Sequence, residues 1–368
     1  MKNIIRVAAF GGAVALALAA CGSAPEESGS TGTAGASDFK ACMVSDSGGF
    51  NDKSFNESGY NGLKDAEESL GIKTATAESK QESDFAPNID TMVGQNCNLI
   101  VTVGFLLATA TGDAAQANPD TNFAIVDSTA QDADGNTIEL DNVKPLSFNT
   151  VEASYLAGYL AAGMSKTGTV ATYGGIQIPT VTIFMDGFVD GVAKYNEVHG
   201  TSVKTLGWDS KAQNGSFTGD FEDQSKGQQL TNTFIDQGAD IILPVAGPVG
   251  GGTLAAAHDA NTAGKAVSVI WVDSDGVETN PDSSDIILTS VLKQIGQAVN
   301  DVVTAASKDQ FDSAPYVGTL ENGGVDLAPF HDFDSKVPAD LKTELDKLKA
   351  DIISGAVTVT SPSSPQQS

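Results

Sequence analysis

The sequence predicts an α/β protein of two lobes, each a parallel sheet flanked by helices, with the chain crossing between them three times. Three observations carry this. Short runs of Val, Ile and Ala alternate with helical periods, which is the pattern of parallel strands covered on both faces. The alternation restarts after Asn149, giving two such sets. The chain then returns with one more strand and helix between 286 and 306. This assigns 39–147 plus 273–315 to lobe 1 and 148–272 plus 316–358 to lobe 2, with crossings near 148, 273 and 315.

Taken in order, 39–45 is apolar and extended, and 54–70 is helical. Ser54 and Glu57 form a capping-box pattern, Phe55, Gly59, Leu63, Ala66 and Leu70 share one face, and Gly71 ends the helix. A strand near 73–77, a helix around 88–94, a strand at 99–103, a helix at 106–118 and a strand at 122–126 complete the first set. The second set reads as helix 152–166, strand 169–173, helix 181–197, strand 202–208, helix 224–237, strand 241–245, helix 253–260 and strand 267–272. A strand at 286–290 and a helix from 291 to about 306 follow. The acidic stretch Asp132-Ala133-Asp134-Gly135-Asn136 lacks the spacing of a calcium loop and reads as a surface turn.

The first twenty residues have the pattern of an export signal: Lys2 and Arg6, then an uncharged apolar run, then Leu18-Ala19-Ala20-Cys21. That run is shorter than the ~20 apolar residues a bilayer span needs. Leu-Ala-Ala-Cys resembles a bacterial lipobox, which implies acylation of Cys21, cleavage before it, and a lipid anchor on the extracytoplasmic face of the cell membrane. An ordinary signal with an incidental cysteine is the alternative. Residues 21–38 read as a flexible tether and 359–368 as a disordered tail.

Net charge is −27, and without the signal the chain carries 18 basic and 47 acidic residues. Such a surface repels nucleic acid and favours a neutral or cationic ligand. Beyond Cys21 the chain has only Cys42 and Cys97, each at the start of an expected strand. In an exported protein this even number predicts a disulfide, with two buried thiols as the alternative.

Ligands of open parallel sheets sit beyond the carboxyl ends of the strands, so the residues standing there test function directly. They include Asp46, Gly104-Phe105, Asp127, Phe148-Asn149, Gly174-Gly175, Gly247 and Asp273. They include no histidine, cysteine or catalytic serine. His199, His258 and His331 form no metal-ligand pair, and neither a nucleophile elbow nor a phosphate loop is present. Gly250-Gly251-Gly252 precedes a helix but lacks the phosphate-loop lysine. The reading is binding without catalysis, metal or cofactor.

Phe55, in a helix's first turn, and Phe221, in a polar loop, could hold a flat ligand between one ring from each lobe. Helix packing for Phe55 and a local cluster with Phe217 for Phe221 are the alternatives. Lys293, placed in a helix's first turn against its dipole, calls for a partner, and Asp273 could supply one. Together they offer acceptor and donors to vicinal hydroxyls, the alternative being a solvated lysine beside a capping aspartate.

The segments Asp46 to Asn56 (DSGGFNDKSFN), Glu152 to Ala162 (EASYLAGYLAA), Asp186 to Gly191 (DGFVDG), Gly238 to Gly247 (GADIILPVAG) and Leu288 to Lys293 (LTSVLK) resemble the basic membrane protein family. That family includes purine nucleoside receptor lipoproteins of ABC importers, and the resemblance covers about 39–330. It implies a type I periplasmic-binding-protein fold. Phe55 and Phe221 would stack the base, and Asp273 and Lys293 would bind ribose hydroxyls with backbone near Gly247 assisting. Asp46 would contact the ligand, and Asp127 and Asn149 would meet the base edge beside an insertion at 131–142. The implied partners are inosine, guanosine or adenosine and the importer's permease and ATPase subunits. The expectation is a monomer, bound to the membrane only through its lipid. A receptor of the same fold for a sugar or small signalling molecule, a nucleoside-cleaving enzyme and a surface antigen without small ligand are the competing readings. The second of these needs clustered metal-binding aspartates that the sequence does not display.

Overall fold

The computed structural model describes residues 38–365; the signal sequence, Cys21 and almost all of the tether lie outside the described residues. Lobe 1 opens with β1 (Lys40–Ser45), α1 (Phe55–Leu70), β2 (Lys73–Glu78), α2 (Phe85–Gly94), β3 (Leu99–Val103), α3 (Ala108–Ala117), β4 (Asn122–Val126) and β5 (Val143–Phe148). Lobe 2 follows with α4 (Val151–Met164), β6 (Thr169–Gly174), α5 (Pro179–His199), β7 (Lys204–Leu206), the short pair β8 (Trp208–Asp209) and β9 (Asn214–Gly215), and α6 (Gln224–Asp236). It continues through β10 (Ile241–Val245), α7 (Gly250–Thr262), β11 (Ser268–Asp273), α8 (Gly276–Thr279) and β12 (Ile287–Lys293). The chain returns to lobe 1 for α9 (Ile295–Ser307) and β13 (Tyr316–Gly318). It ends in lobe 2 with β14 (Val325–Leu327) and α10 (Ala339–Ile353).

The two sheets have matching orders, β13-β5-β4-β3-β1-β2 and β14-β12-β11-β10-β6-β7, and only β14 runs antiparallel. Each order reverses direction once, between β1 and β3 in lobe 1 and between β6 and β10 in lobe 2. These switch points are where the loops leaving adjacent strands diverge and open a crevice. The central strands β3 and β10 are buried along their whole length, as their largely apolar sequences require, and the one polar side chain, Thr102, pairs with the Thr111 hydroxyl.

The pairing corrects the expected lobe boundaries. β12 pairs parallel with β11, so 273–293 belongs to lobe 2 and the second crossing falls after Lys293, not at 273. β13 pairs with β5, which keeps the chain in lobe 1 to Gly318 and moves the third crossing past 315. Periodicity locates a strand but carries no information about which sheet adopts it. The expected helix from 291 is likewise a continuation of β12, and α9 begins only at Ile295.

The three crossings lie side by side. The Asn149 amide donates to the Gly318 carbonyl at 2.8 Å, and the Gln294 amide donates to the Gly324 carbonyl at 2.9 Å. Glu152, at the start of α4, accepts from the Asn149 side chain at 2.8 Å and from the Leu320 amide at 2.7 Å. Residues 359–365, expected to be free, are instead fastened to lobe 2: Val357 and Val359 pack on the core, and Ser361 and Ser363 bond to α5.

The family-like segments in α4 and α5 turn out to serve packing. A β-carbon on Gly158 would stand 2.0 Å from the Phe188 carbonyl oxygen, and one on Gly191 would stand 2.0 Å from that of Tyr155. Only glycine lets these two helices approach so closely. Gly252 plays the same part between α7 and α6, with the Gln224 carbonyl oxygen 1.9 Å from any β-carbon, while Gly250 makes room for the Trp271 ring, so the triple glycine serves packing. Among the described residues no helix is long and apolar enough to cross a membrane.

Cys42 and Cys97 are joined in a disulfide with Cα atoms 5.9 Å apart, tying β1 to the entry of β3. It closes a separation of 55 residues, which the chain-entropy relation converts to about 4 kcal/mol. Cys97→Ser should therefore lower the unfolding free energy by about that amount in urea titrations, and reductant should do the same to the wild type.

Candidate functional site

Beyond the carboxyl ends of the strands, one cavity between the lobes is lined by Asp46, Phe55, Asp127, Phe221, Gly247, Asp273 and Lys293. Seven of the eight expected ligand residues thus meet in one place. The eighth, Asn149, does not line it: its side-chain amide is turned to Glu152 at the first crossing, so it is a hinge residue. A strand-end position alone could not distinguish the two roles, because β5 is the strand from which the chain leaves the lobe.

Lys293 ends β12 and is only 4% exposed. Its ammonium donates to the Asp127 carboxylate, which stands at the end of β4 in lobe 1, and lies 3.4 Å from the Asp273 carboxylate at the end of β11 in lobe 2. Burial acts to lower its pKa, but the two carboxylates outweigh that and hold the ammonium above its usual range. The rings of Phe55, Phe184 and Phe148 lie 4.9, 5.2 and 5.8 Å from the same nitrogen, close enough for cation–π attraction. Both aspartates have left-handed backbones, Asp127 at φ 62° and Asp273 at φ 68°. Non-glycine residues adopt this region at a cost, and such residues concentrate at functional sites.

The expected capping role of Ser54 is taken by another residue. Asp52 accepts from the amides of Ser54, Asn56 and Glu57 at 3.0, 2.8 and 3.0 Å and so closes the amino end of α1. Ser54 is freed to reach lobe 2, donating to Asp273 at 2.8 Å or to the Val272 carbonyl at 3.1 Å. Trp271 and Ser274 of lobe 2 each donate to the Lys53 carbonyl at 3.1 Å. The loop 46–56 thereby holds the lobes closed on each other. The cavity left is about 70 Å³, below the ~300–1,000 Å³ usual for small-molecule sites, so anything larger than a few waters enters only when the lobes part.

Glycines set two more walls. The Asp46 carboxylate sits over Gly104, where a β-carbon would be 2.1 Å from its oxygen, and it accepts from the Asn56 side chain at 2.9 Å. Phe221 lies against Gly175, its ring 2.4 Å from any β-carbon there, which places it at the switch point of lobe 2. Burial, with smaller repulsions from Asp52 and Asp127, pushes the Asp46 carboxyl up to about 8, and burial pushes Asp52 to about 6. At neutral pH Asp46 is thus mainly protonated and offers a hydrogen-bond donor. Phe105, named at the end of β3, lines the cavity as well, and so do Asp52, Asn56 and Phe184, for which no ligand role was expected from the sequence. Asn56 keeps a buried side-chain oxygen without a partner. Its position in the first turn of α1 gave no hint of this, since such residues ordinarily face solvent.

The arrangement offers rings, two carboxylates around one ammonium, an amide and a neutral carboxyl. None of the histidines lines the cavity, and among the described residues no cluster of metal-ligating groups occurs. Two outcomes follow. Lys293→Met should cost about 3–5 kcal/mol in denaturant unfolding, because it strands two buried carboxylates, and adding Asp127→Asn should recover part of the loss. The raised Asp46 binds a proton in the folded state that the unfolded chain has released, so its contribution to stability falls as pH rises from about 4 to about 8. Melting temperatures of Asp46→Asn should fall less steeply over that window than those of the wild type.

Comparisons with known proteins place the chain in a family. A family model described as "ABC transporter substrate-binding protein PnrA-like" (Bmp) matches residues 39–361. The ABC transporter nucleoside-binding protein BmpA of Lactococcus lactis subsp. cremoris is 32% identical over 374 residues, covering 98% of this chain and 99% of that protein. Basic membrane protein A of Borreliella burgdorferi is 28% identical over 333 residues, covering 90% of each. A solute-binding protein of an ABC transporter system from Aeropyrum pernix K1 shares the fold, with a TM-score of 0.79 at 23% identity over 88% of this chain and 94% of that one. The two-lobe, type I binding-protein architecture is therefore shared with that solute-binding protein, and the family's role is to bind a substrate, not to transform it. The chain belongs to the Bmp family, the PnrA-like substrate-binding proteins of ABC transporters.

Proposed function

We propose that this protein captures a purine nucleoside between its lobes and presents it to an importer's permease and ATPase subunits. It would do so as a monomer held to the membrane through lipid on Cys21. The observation that carries the reading is that Phe55 from lobe 1 and Phe221 from lobe 2 line one cavity with the Asp127–Lys293–Asp273 cluster. Aromatic faces accept a planar heterocycle, while paired carboxylates and an ammonium suit the vicinal hydroxyls of ribose. The nucleoside-binding relative in Lactococcus supports the same ligand class. The cavity's acidic balance, with Asp52, Asp127 and Asp273 against one ammonium, disfavours phosphorylated forms.

Ligand and closure are coupled. A nucleoside that touches both lobes stabilises the closed form only to the extent that it binds that form better than the open one. The importer would then distinguish loaded from empty receptor by lobe arrangement.

Calorimetry on protein beginning after Cys21, titrated with inosine, guanosine, adenosine, cytidine and ribose, tests the reading. Heat is expected with purine nucleosides and not with ribose alone. Phe221→Ala should weaken nucleoside binding by roughly 1–3 kcal/mol, the usual contribution of one base–aromatic stack. No heat with any nucleoside refutes the ligand assignment and leaves the family membership intact.

A further inference from the structure

A second, larger cavity of about 860 Å³ adjoins the ligand cleft and shares Phe105, Asp127, Thr180 and Lys293 with it. Two segments that the binding site does not use line it. One is the insertion, through Gln131 and residues 137–141 of lobe 1. The other is the stretch 362–365 that follows α10.

The second segment is built, not draped. Ser361 donates through its hydroxyl to the buried Asp186 carboxylate, which also accepts from Trp208 and Gln213 at 2.8 Å each. The Ser363 and Thr182 hydroxyls are 2.8 Å apart. A turn closes on itself, with the Ser364 amide 3.0 Å from the Ser361 carbonyl and the Ser363 amide 3.0 Å from the Ser361 hydroxyl. Asp186 and Thr182 both belong to α5, so these anchors are on lobe 2 alone. The insertion is equally ordered: the Asp132 carboxylate accepts from the amides of Asp134 and Asn136, and the Thr129 and Thr137 hydroxyls are 2.9 Å apart.

We propose that 361–365 is a side wall of the ligand cleft, carried by lobe 2, which encloses the space beside Lys293 with the 131–142 insertion when the lobes close and so slows ligand escape. The wall travels with α5. It leaves the entrance free while the lobes are apart and obstructs it when they meet. Its effect therefore falls on dissociation and much less on association. The kinetic part rests on the nucleoside reading above; the wall itself does not.

The test compares the full chain with a form ending at Thr360 and with Ser361→Ala/Ser363→Ala. In stopped-flow displacement of inosine, both variants should release ligand on the order of fivefold faster, the factor expected for losing about one net hydrogen bond, with association changed less than about twofold. Unliganded melting curves check that lobe 2 remains folded. A second arm needs no ligand: Thr180→Cys, a lining residue of both cavities, should react with a maleimide faster in the shortened chain than in the full one. Equal labelling rates in folded proteins overturn the wall, and equal inosine release overturns its kinetic role. If the full chain binds no nucleoside, that failure belongs to the ligand reading, and the labelling arm alone decides.

Discussion

Lys293 stands where the chain leaves lobe 2 for the last helix of lobe 1, and its ammonium is held by one carboxylate from each lobe. Much of the architecture follows from what this buried cation requires. An ammonium removed from water costs several kcal/mol unless it is paired and hydrogen-bonded, and Asp127 and Asp273 supply that from two separate sheets. Both aspartates turn through left-handed backbone to do so. The three phenylalanine rings around the nitrogen exclude water and strengthen the pairing they surround. The cluster links the lobes without filling the space between them, and it lies on the wall a ligand would meet.

That linkage explains why the loop 46–56 is so densely bonded. It presents Asp46 to the cleft, caps α1 through Asp52, and reaches across to β11 through Lys53 and Ser54. Each of these contacts between lobes must break for a ligand to enter. Being few and polar, they can be exchanged for water when the lobes part, whereas an apolar interface of the same extent would resist opening. The adjacent crossings at Asn149, Gln294 and 319–324 are bonded to one another and not across the face where the cavity lies.

The positions that most resemble the family divide into two physical kinds. Asp46, Phe55 and Lys293 bring functional groups to the cavity. Gly158, Gly187 and Gly191 bring α4 and α5 into backbone contact, and Asp186 binds together Trp208, Gln213 and Ser361. Both kinds tolerate little change, one because of what a ligand needs and the other because no space remains for a β-carbon. A motif therefore identifies a constrained position without saying which constraint applies.

The sequence by itself determined the central strands, most of the helices and the residues at those strand ends, because apolar periodicity and turn chemistry are local; β5, β9, β13 and β14 were not legible in it. The rule that ligands meet the carboxyl ends of parallel strands then named Asp46, Phe105, Asp127, Gly247 and Asp273, all of which line the cavity. Only the tertiary structure decided that β12 joins the second sheet and that the crossing follows Lys293, since strand partners are chosen by the whole sheet. It also decided that Asn149 serves the hinge, that Asp52 and not Ser54 caps α1, and that 359–365 is bound to α5. In each of these a polar side chain had several possible partners, and which one it met depended on segments tens to hundreds of residues away.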